Sequence, residues 1–276
     1  MTKRPTNPDS AVVAPSATVL VVGATGSIGR LLVAEALRQG YAVRALIRDE
    51  AKARRFLPRG AQLIVGEVTS QDDLPRAVEA VDAIVFTLGA GSVRGEQAEA
   101  VDYGGVRNVL TALGHARPRI ALMTAIGVTK REDARLGTLG GHDWKRRSER
   151  LVRASGCVYT IVRPGWFDYN EPDQQRLLLL QGDTRWASDS SDGVVSRQQV
   201  AEVLVRSLST SAAAFKTVEL VAERGPATQD FDALFAPLIA DPPGAVDAVL
   251  DVGNMPLEKE PAPIREQLAA LRAAEQ

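Results

Sequence analysis

A five-residue apolar run, TVLVV from Thr18 to Val22, passes without a spacer into GATGSIG and then into a segment with Leu32, Val33, Ala36 and Leu37 at helical spacing. A short continuous apolar run is the pattern of a parallel strand covered on both faces. Gly40 stops the following helix as a C-terminal glycine would. Few folds place a strand, a glycine turn and an amphipathic helix so close together.

The alternation continues. Strands are expected at 41–47, 61–65, 83–88, 119–123 and 158–162, and helices at 50–56, 71–80, 96–113 and 145–154. Six strands alternating with helices predict an α/β fold, a doubly wound parallel sheet of the Rossmann kind, because right-handed crossovers put helices on both faces. After Gly165 the pattern weakens: Leu177–Leu180 is apolar, 194–208 and 231–239 read as helices, and 217–221 reads as a strand. A last helix at 261–274 carries Ile264, Leu268 and Leu271 on one stripe, to dock on the body or on a partner chain. The expected organisation is a flexible tail over 1–16, a dinucleotide-binding core over 17–165, and a C-terminal substrate-binding portion of the same domain over 166–276.

Composition narrows the function classes. Basic and acidic side chains number 33 and 34 in 276 residues, so no large net field draws the chain to nucleic acid or to an anionic membrane. No run approaches a membrane span, and the N-terminal stretch is a poor signal peptide, so a cytoplasmic protein is expected. Cys157 is the single cysteine and reads as a small core residue. Two histidines and one cysteine give no metal-ligand spacing, and neither a nucleophile elbow nor a P-loop is present. A small-molecule substrate and a monomer or homodimer are the expected partners.

Gly23, Gly26 and Gly29 lie three residues apart where the first strand meets its helix. Lacking side chains, they let backbone N–H groups approach a pyrophosphate, and the helix dipole favours the anion. Thr25, Ser27 and Ile28 complete the loop. An acidic residue at the end of the second strand would bind the ribose hydroxyls of NAD and repel a 2′-phosphate. Arg48 stands there instead, with Lys52 close by, while Asp49 opens the next helix. The expected cofactor is therefore NADP(H) rather than NAD(H), the bland alternative being a solvated arginine at a helix start.

The segments VLVVGATGSIGRLLVAEAL, VRALIRDEAKA, VDYGGVRNVL and SGCVYTIVRPGWF, in this order across 17–167, resemble the atypical short-chain dehydrogenases/reductases, in particular their NmrA-like, NAD(P)-binding group. The resemblance implies Glu67 and Val68 near adenine, Leu88, Gly89 and Ala90 after the fourth strand, Thr124 after the fifth, and Pro164, Gly165, Trp166 and Phe167 beside the nicotinamide. It also implies a Tyr-x-x-x-Lys pair in which the lysine lowers the tyrosine pKa. Lys145 matches the lysine, but the tyrosine position holds Gly141. Thr124 keeps the hydroxyl of the family serine and is a poor acid alone. His142 is a candidate proton carrier by its intrinsic pKa, and Tyr169 is another. Asp102 and Tyr103 read as packing or capping residues.

Three functions compete. An NADP(H)-dependent oxidoreductase could pass hydride to or from an apolar quinone, flavin or activated carbonyl, with the proton coming from water or substrate. A redox sensor or scaffold would bind the dinucleotide without turnover. A sugar epimerase or dehydratase would need the proton acceptor that position 141 lacks.

Overall fold

The computed structural model describes residues 12–89, 97–131 and 141–273. Among the described residues ten strands and eight α-helices run β1 (Thr18–Val22), α1 (Gly29–Arg38), β2 (Ala42–Ile47), α2 (Glu50–Phe56), β3 (Gln62–Val65), α3 (Pro75–Val78), β4 (Ala83–Phe86), α4 (Gly104–Leu113), β5 (Arg119–Met123), α5 (Gly141–Ala154), β6 (Tyr159–Pro164), β7 (Trp166–Phe167), β8 (Arg176–Leu180), β9 (Val194–Val195), α6 (Arg197–Ser209), β10 (Lys216–Glu223), α7 (Phe231–Phe235) and α8 (Ala262–Ala273). Eight of the strands form one sheet in the order β3-β2-β1-β4-β5-β6-β10-β8. All pairs are parallel except β8 against β10. The order reverses between β1 and β4, where strand ends splay and a crevice opens.

β1, β4, β5 and β6 are buried almost throughout, as their unbroken apolar runs predict. One core packs α1 and α6 on one face of the sheet, with Leu32, Val33, Val203 and Leu204 inside. The other packs α3, α4, α5 and α8, with Val106, Leu110, Leu151 and Leu268 inside. Ile264 and Leu268 are buried and Leu271 packs against this second core, so α8 docks on its own chain. Cys157 is buried within it, as expected. Among the described residues no helix is long and apolar enough to cross a membrane.

Several expected boundaries move for local reasons. Pro75 splits the helix expected at 71–80 into a 3-10 turn at Gln71–Asp73 and α3. The part of the 96–113 helix that is described begins with a π-helical stretch, Ala98–Tyr103, before α4. The helix expected from residue 194 starts at Arg197, because Ser196 and Gln199 form a capping box and Val194–Val195 pair with β7 instead. α7 spans only the first five residues of the helix expected at 231–239. The flexible tail placed over 1–16 is corrected at its end: Val13 is buried, its N–H donates to Leu208, and its carbonyl accepts from the Tyr41 hydroxyl.

Candidate functional site

The glycine loop sits in the crevice between β1 and β4. Gly23 has φ +92°, and a Cβ there would lie 2.8 Å from the Thr87 carbonyl oxygen. A Cβ on Gly29 would lie 2.1 Å from the Gly23 carbonyl oxygen, so the first turn of α1 can close on the loop only without a side chain. The N-terminus of α1 carries no side-chain cap and no acidic residue in its first turn. The Arg30 N–H donates to the Gly26 carbonyl at 3.1 Å, and the positive end of the helix dipole favours an anion at this end.

A cleft of about 600 Å³ opens over this loop, lined at one end by Gly23, Thr25 and Gly26 and at the other by Arg48 and Lys52, with Glu67, Val68, Leu88 and Gly89 along its walls. Ser27 is exposed beside it, and Ile28 is buried as the residue before α1. Ala90 lies outside the described residues. Asp49 is turned away: its carboxylate accepts from the Lys52 N–H at 2.9 Å and caps α2. Arg48 is 75% exposed and meets Glu67 at 3.9 Å. An exposed pair of this length holds the guanidinium weakly.

Thr87, Gly66, Thr69, Gln97 and Val101 also line the cleft and were not anticipated. Thr87 could have been inferred from the glycine it touches; the rest are placed by long-range packing. A Cβ on Gly105 would meet Leu88 at 2.9 Å and Val68 at 3.0 Å, so the double glycine of VDYGGVRNVL brings α4 down onto the cleft wall. The glycines, cations and apolar wall fit a dinucleotide.

The residues expected around the nicotinamide do not line this cleft. Pro164 ends β6, its carbonyl accepting from the Ile126 N–H at 3.1 Å. Gly165 is pressed against Gly193, whose carbonyl oxygen would lie 2.5 Å from a Cβ. Trp166 and Phe167 form β7, and Trp166 meets Tyr169 edge to face, with ring centres 6.3 Å apart.

The three candidate catalytic side chains are all engaged. Thr124 is buried and its hydroxyl donates to Glu149 Oε1 at 2.7 Å. Lys145 Nζ lies 3.3 Å from Asp102 Oδ2, so Asp102 is an ion-pair partner rather than a cap. Its position on the π-helical stretch, where the helical register is shifted, brings it to the lysine. Tyr103 donates to Gln267 and packs on Trp144, as a packing residue would. His142 Nδ1 lies 3.1 Å from the Gly127 carbonyl, which can only accept, so Nδ1 carries the proton. Burial and then the nearby Lys145 charge hold the imidazole below its ordinary pKa, against the pull of that hydrogen bond. Burial thus favours the neutral ring, in which Nε2 is the acceptor.

Beneath them runs a buried ionic network. Arg163 forks onto Glu149 at 3.0 and 2.7 Å and onto Asp251 at 2.7 Å through two nitrogens. Arg153 joins Glu149 to Asp241. Arg146 and Arg150 hold Asp247, and Arg147 holds Glu260. Burial alone would raise the Glu149 and Asp251 carboxyls, but the Arg163 guanidinium holds both below the usual range. Glu219 differs: burial pushes it up to about 7, and Oε1 has no hydrogen-bond partner although Arg163 stands 3.7 Å away.

The sheet reversal and glycine cradle define a Rossmann-type NAD(P)-binding protein. The model of the NAD(P)H-binding family matches residues 23–211, and the chain belongs to that family. It is 30% identical over 196 residues to the uncharacterized sugar epimerase YhfK of Bacillus subtilis, covering 69% of this chain and 87% of that one. It is 27% identical over 263 residues to sanguinarine reductase of Eschscholzia californica, covering 79% and 95%. A solved structure from Bacillus halodurans, provisionally named an NAD-dependent epimerase/dehydratase, superposes with a TM-score of 0.67 at 23% identity, over 80% of this chain and all of that one. That last likeness concerns the fold. The family shown is that of NAD(P)H-binding Rossmann-type domains, in line with the NAD(P)-binding group that the sequence segments resemble.

Proposed function

We propose that this chain is an NADP(H)-dependent oxidoreductase that moves hydride to or from a small apolar acceptor, such as a quinone, a flavin or an activated carbonyl, without a catalytic tyrosine. The carrying observation is the charge at the adenosine end of the cleft: Arg48 and Lys52 line it, while Asp49 is spent on a cap, Glu50 pairs with Arg54 along α2, and Glu67 is faced by Arg48 itself. A 2′-phosphate matches a planar guanidinium fork; a bare ribose would want a carboxylate.

The bound dinucleotide supplies the hydride. The chain's residues orient it: the glycine loop takes the diphosphate, and Val68 and Leu88 flank the adenine. None of Thr124, His142 and Lys145 is disposed as a proton donor of the tyrosine kind, since the Thr124 hydroxyl donates its hydrogen bond to Glu149, burial disfavours the charged form of His142, and Lys145 pairs with Asp102. This suits acceptors whose proton comes from water or from the substrate itself. The relative named a reductase supports hydride transfer; an epimerase, the name of the Bacillus relative, needs a base for a sugar hydroxyl where this chain has Gly141.

The test is binding of NADPH and NADH to the purified protein by fluorescence, followed by a panel of quinones, flavins and aldehydes. Tighter binding of NADPH and its consumption with at least one acceptor is the expected result. Binding without consumption across the panel turns the reading to a redox sensor, and absence of binding overturns it.

A further inference from the structure

β7 and β9 make a two-stranded parallel sheet apart from the main one, with Trp166 opposite Val194 and Phe167 opposite Val195. Two residues beyond β9, Arg197 opens α6. Its N–H donates to Asp168 Oδ1 at 2.9 Å, and its guanidinium pairs with the same carboxylate. The guanidinium carbon lies 5.1 Å from the centre of the Phe167 ring. Its Nε donates to Ser27 Oγ at 3.2 Å, in the glycine loop 170 positions earlier. Asp168 holds this arrangement from φ +59°, a region that residues with side chains rarely adopt and that clusters at ligand-binding sites.

The fold does not need this arginine to start α6, because the capping box of Ser196 and Gln199 already does so. Nor does it serve the adenosine end of the cleft, where Arg48 and Lys52 stand. It is a half-buried cation, aimed by a carboxylate and stacked on an aromatic ring, with two of its five N–H donors spent and with one atom touching the loop on which a diphosphate would rest.

We propose that Arg197 is a ligand of the dinucleotide's diphosphate, delivered by the C-terminal portion of the chain. It replaces or shares its Ser27 contact when the anion lies on the loop, and through Asp168 and the β7–β9 sheet it ties the position of Trp166 and Phe167 to the diphosphate. This rests on the dinucleotide reading of the cleft, from which it differs in assigning a charge contact common to NADPH and NADH.

The experiment titrates the full-length chain and its Arg197→Gln variant with NADPH, NADH and adenosine 2′-monophosphate, which keeps the 2′-phosphate and lacks the diphosphate. R197Q is expected to weaken both dinucleotides alike, by about tenfold, the worth of one charge-assisted phosphate contact. Binding of the monophosphate should stay within about twofold. Unchanged dinucleotide affinity, or an equal loss for all three ligands, overturns the proposal, the latter because it marks a structural tie. Should R197Q fail to fold, modification of wild-type arginines by phenylglyoxal, read by mass spectrometry, decides: Arg197 is protected by NADH if it binds the diphosphate and is not if it does not. A wild type that binds neither dinucleotide overturns the cleft reading itself.

Discussion

The two halves of the site are built from different materials. The cofactor cleft is made of backbone: Gly23, Gly29 and Gly105 are places where a single carbon would collide, and its cations stand exposed at the rim. The floor beneath Thr124 and Lys145 is made of side chains, with Arg163, Glu149, Arg153 and Asp251 almost wholly out of water. Removing one partner of a buried, hydrogen-bonded pair leaves an uncompensated charge, whereas adding a methyl to a backbone cradle blocks a ligand with less harm to the rest. The cleft should therefore fail in binding and the floor in folding.

The largest effect is expected at Arg163. Arg163→Leu strands Glu149 and Asp251 in the interior, a loss of about 3–5 kcal/mol. For a chain of this size that lowers Tm by about 5–10 °C in a thermal melt. A variant melting within a few degrees of wild type would mean that water or a rearranged Arg153 satisfies the two carboxylates, and the contrast between the halves would collapse.

Gly29→Ala comes next and should fail the other way. Its Cβ meets the Gly23 carbonyl at 2.1 Å, so the loop must open where the diphosphate is expected. NADPH affinity measured by fluorescence titration should fall by about a hundredfold, close to 3 kcal/mol. Stability should fall by about 1–3 kcal/mol, the usual cost of overpacking at a buried position. Equal losses of binding and stability in both variants would erase the distinction.

Glu219 sharpens the comparison through pH. Its carboxyl ionises near 7 in the fold against an ordinary value of 4.5, so between these values the folded chain holds a proton that the unfolded chain has released. Stability must then decline as pH rises from about 4.5 to 7 and level off above, by up to about 3 kcal/mol from this group. Glu149, Asp247 and Asp251 act oppositely: their folded values are lowered, so their contribution is present above the unfolded value and is lost as pH falls through the folded one. Glu219→Gln should therefore gain on wild type between pH 5 and pH 8 in parallel melts. A constant difference across that range would show that Glu219 stays ionised.

The same contrast explains what could be read from the sequence. β1, its glycine turn and α1 were legible because a buried parallel strand, a forbidden Cβ and an amphipathic helix leave marks within twenty residues of one another. Arg48 and Asp49 were legible for the same reason, since the end of β2 and the cap of α2 are local features. The floor was not. Arg163 finds Asp251 from 88 positions away, Arg150 finds Asp247 from 97, and Arg147 finds Glu260 from 113. The arginines of WKRRSERLVRASG give no local sign of their partners, which come from the irregular stretch around 241–260 with its matching carboxylates. Lys145 is marked by its motif, but its engagement with Asp102 depends on a π-helical register that spacing alone does not reveal.

The smallest expected effect belongs to Arg48, and it bears most directly on the cofactor. Arg48 is exposed and its pairing with Glu67 is long, so Arg48→Asp should leave Tm within about a degree, as exposed pairs usually do. What should change is preference. An aspartate there repels a 2′-phosphate and can accept from ribose hydroxyls, so the ratio of NADPH to NADH affinity should fall by at least about tenfold, or 1.4 kcal/mol. Lys52 remains as a point charge on the same rim and sets a limit to the loss. A ratio that stays put in R48D but falls in Lys52→Glu would move the phosphate contact from β2's end to the first turn of α2. A ratio insensitive to both would mean that the cleft reads only the diphosphate and the adenine, the features that both dinucleotides share.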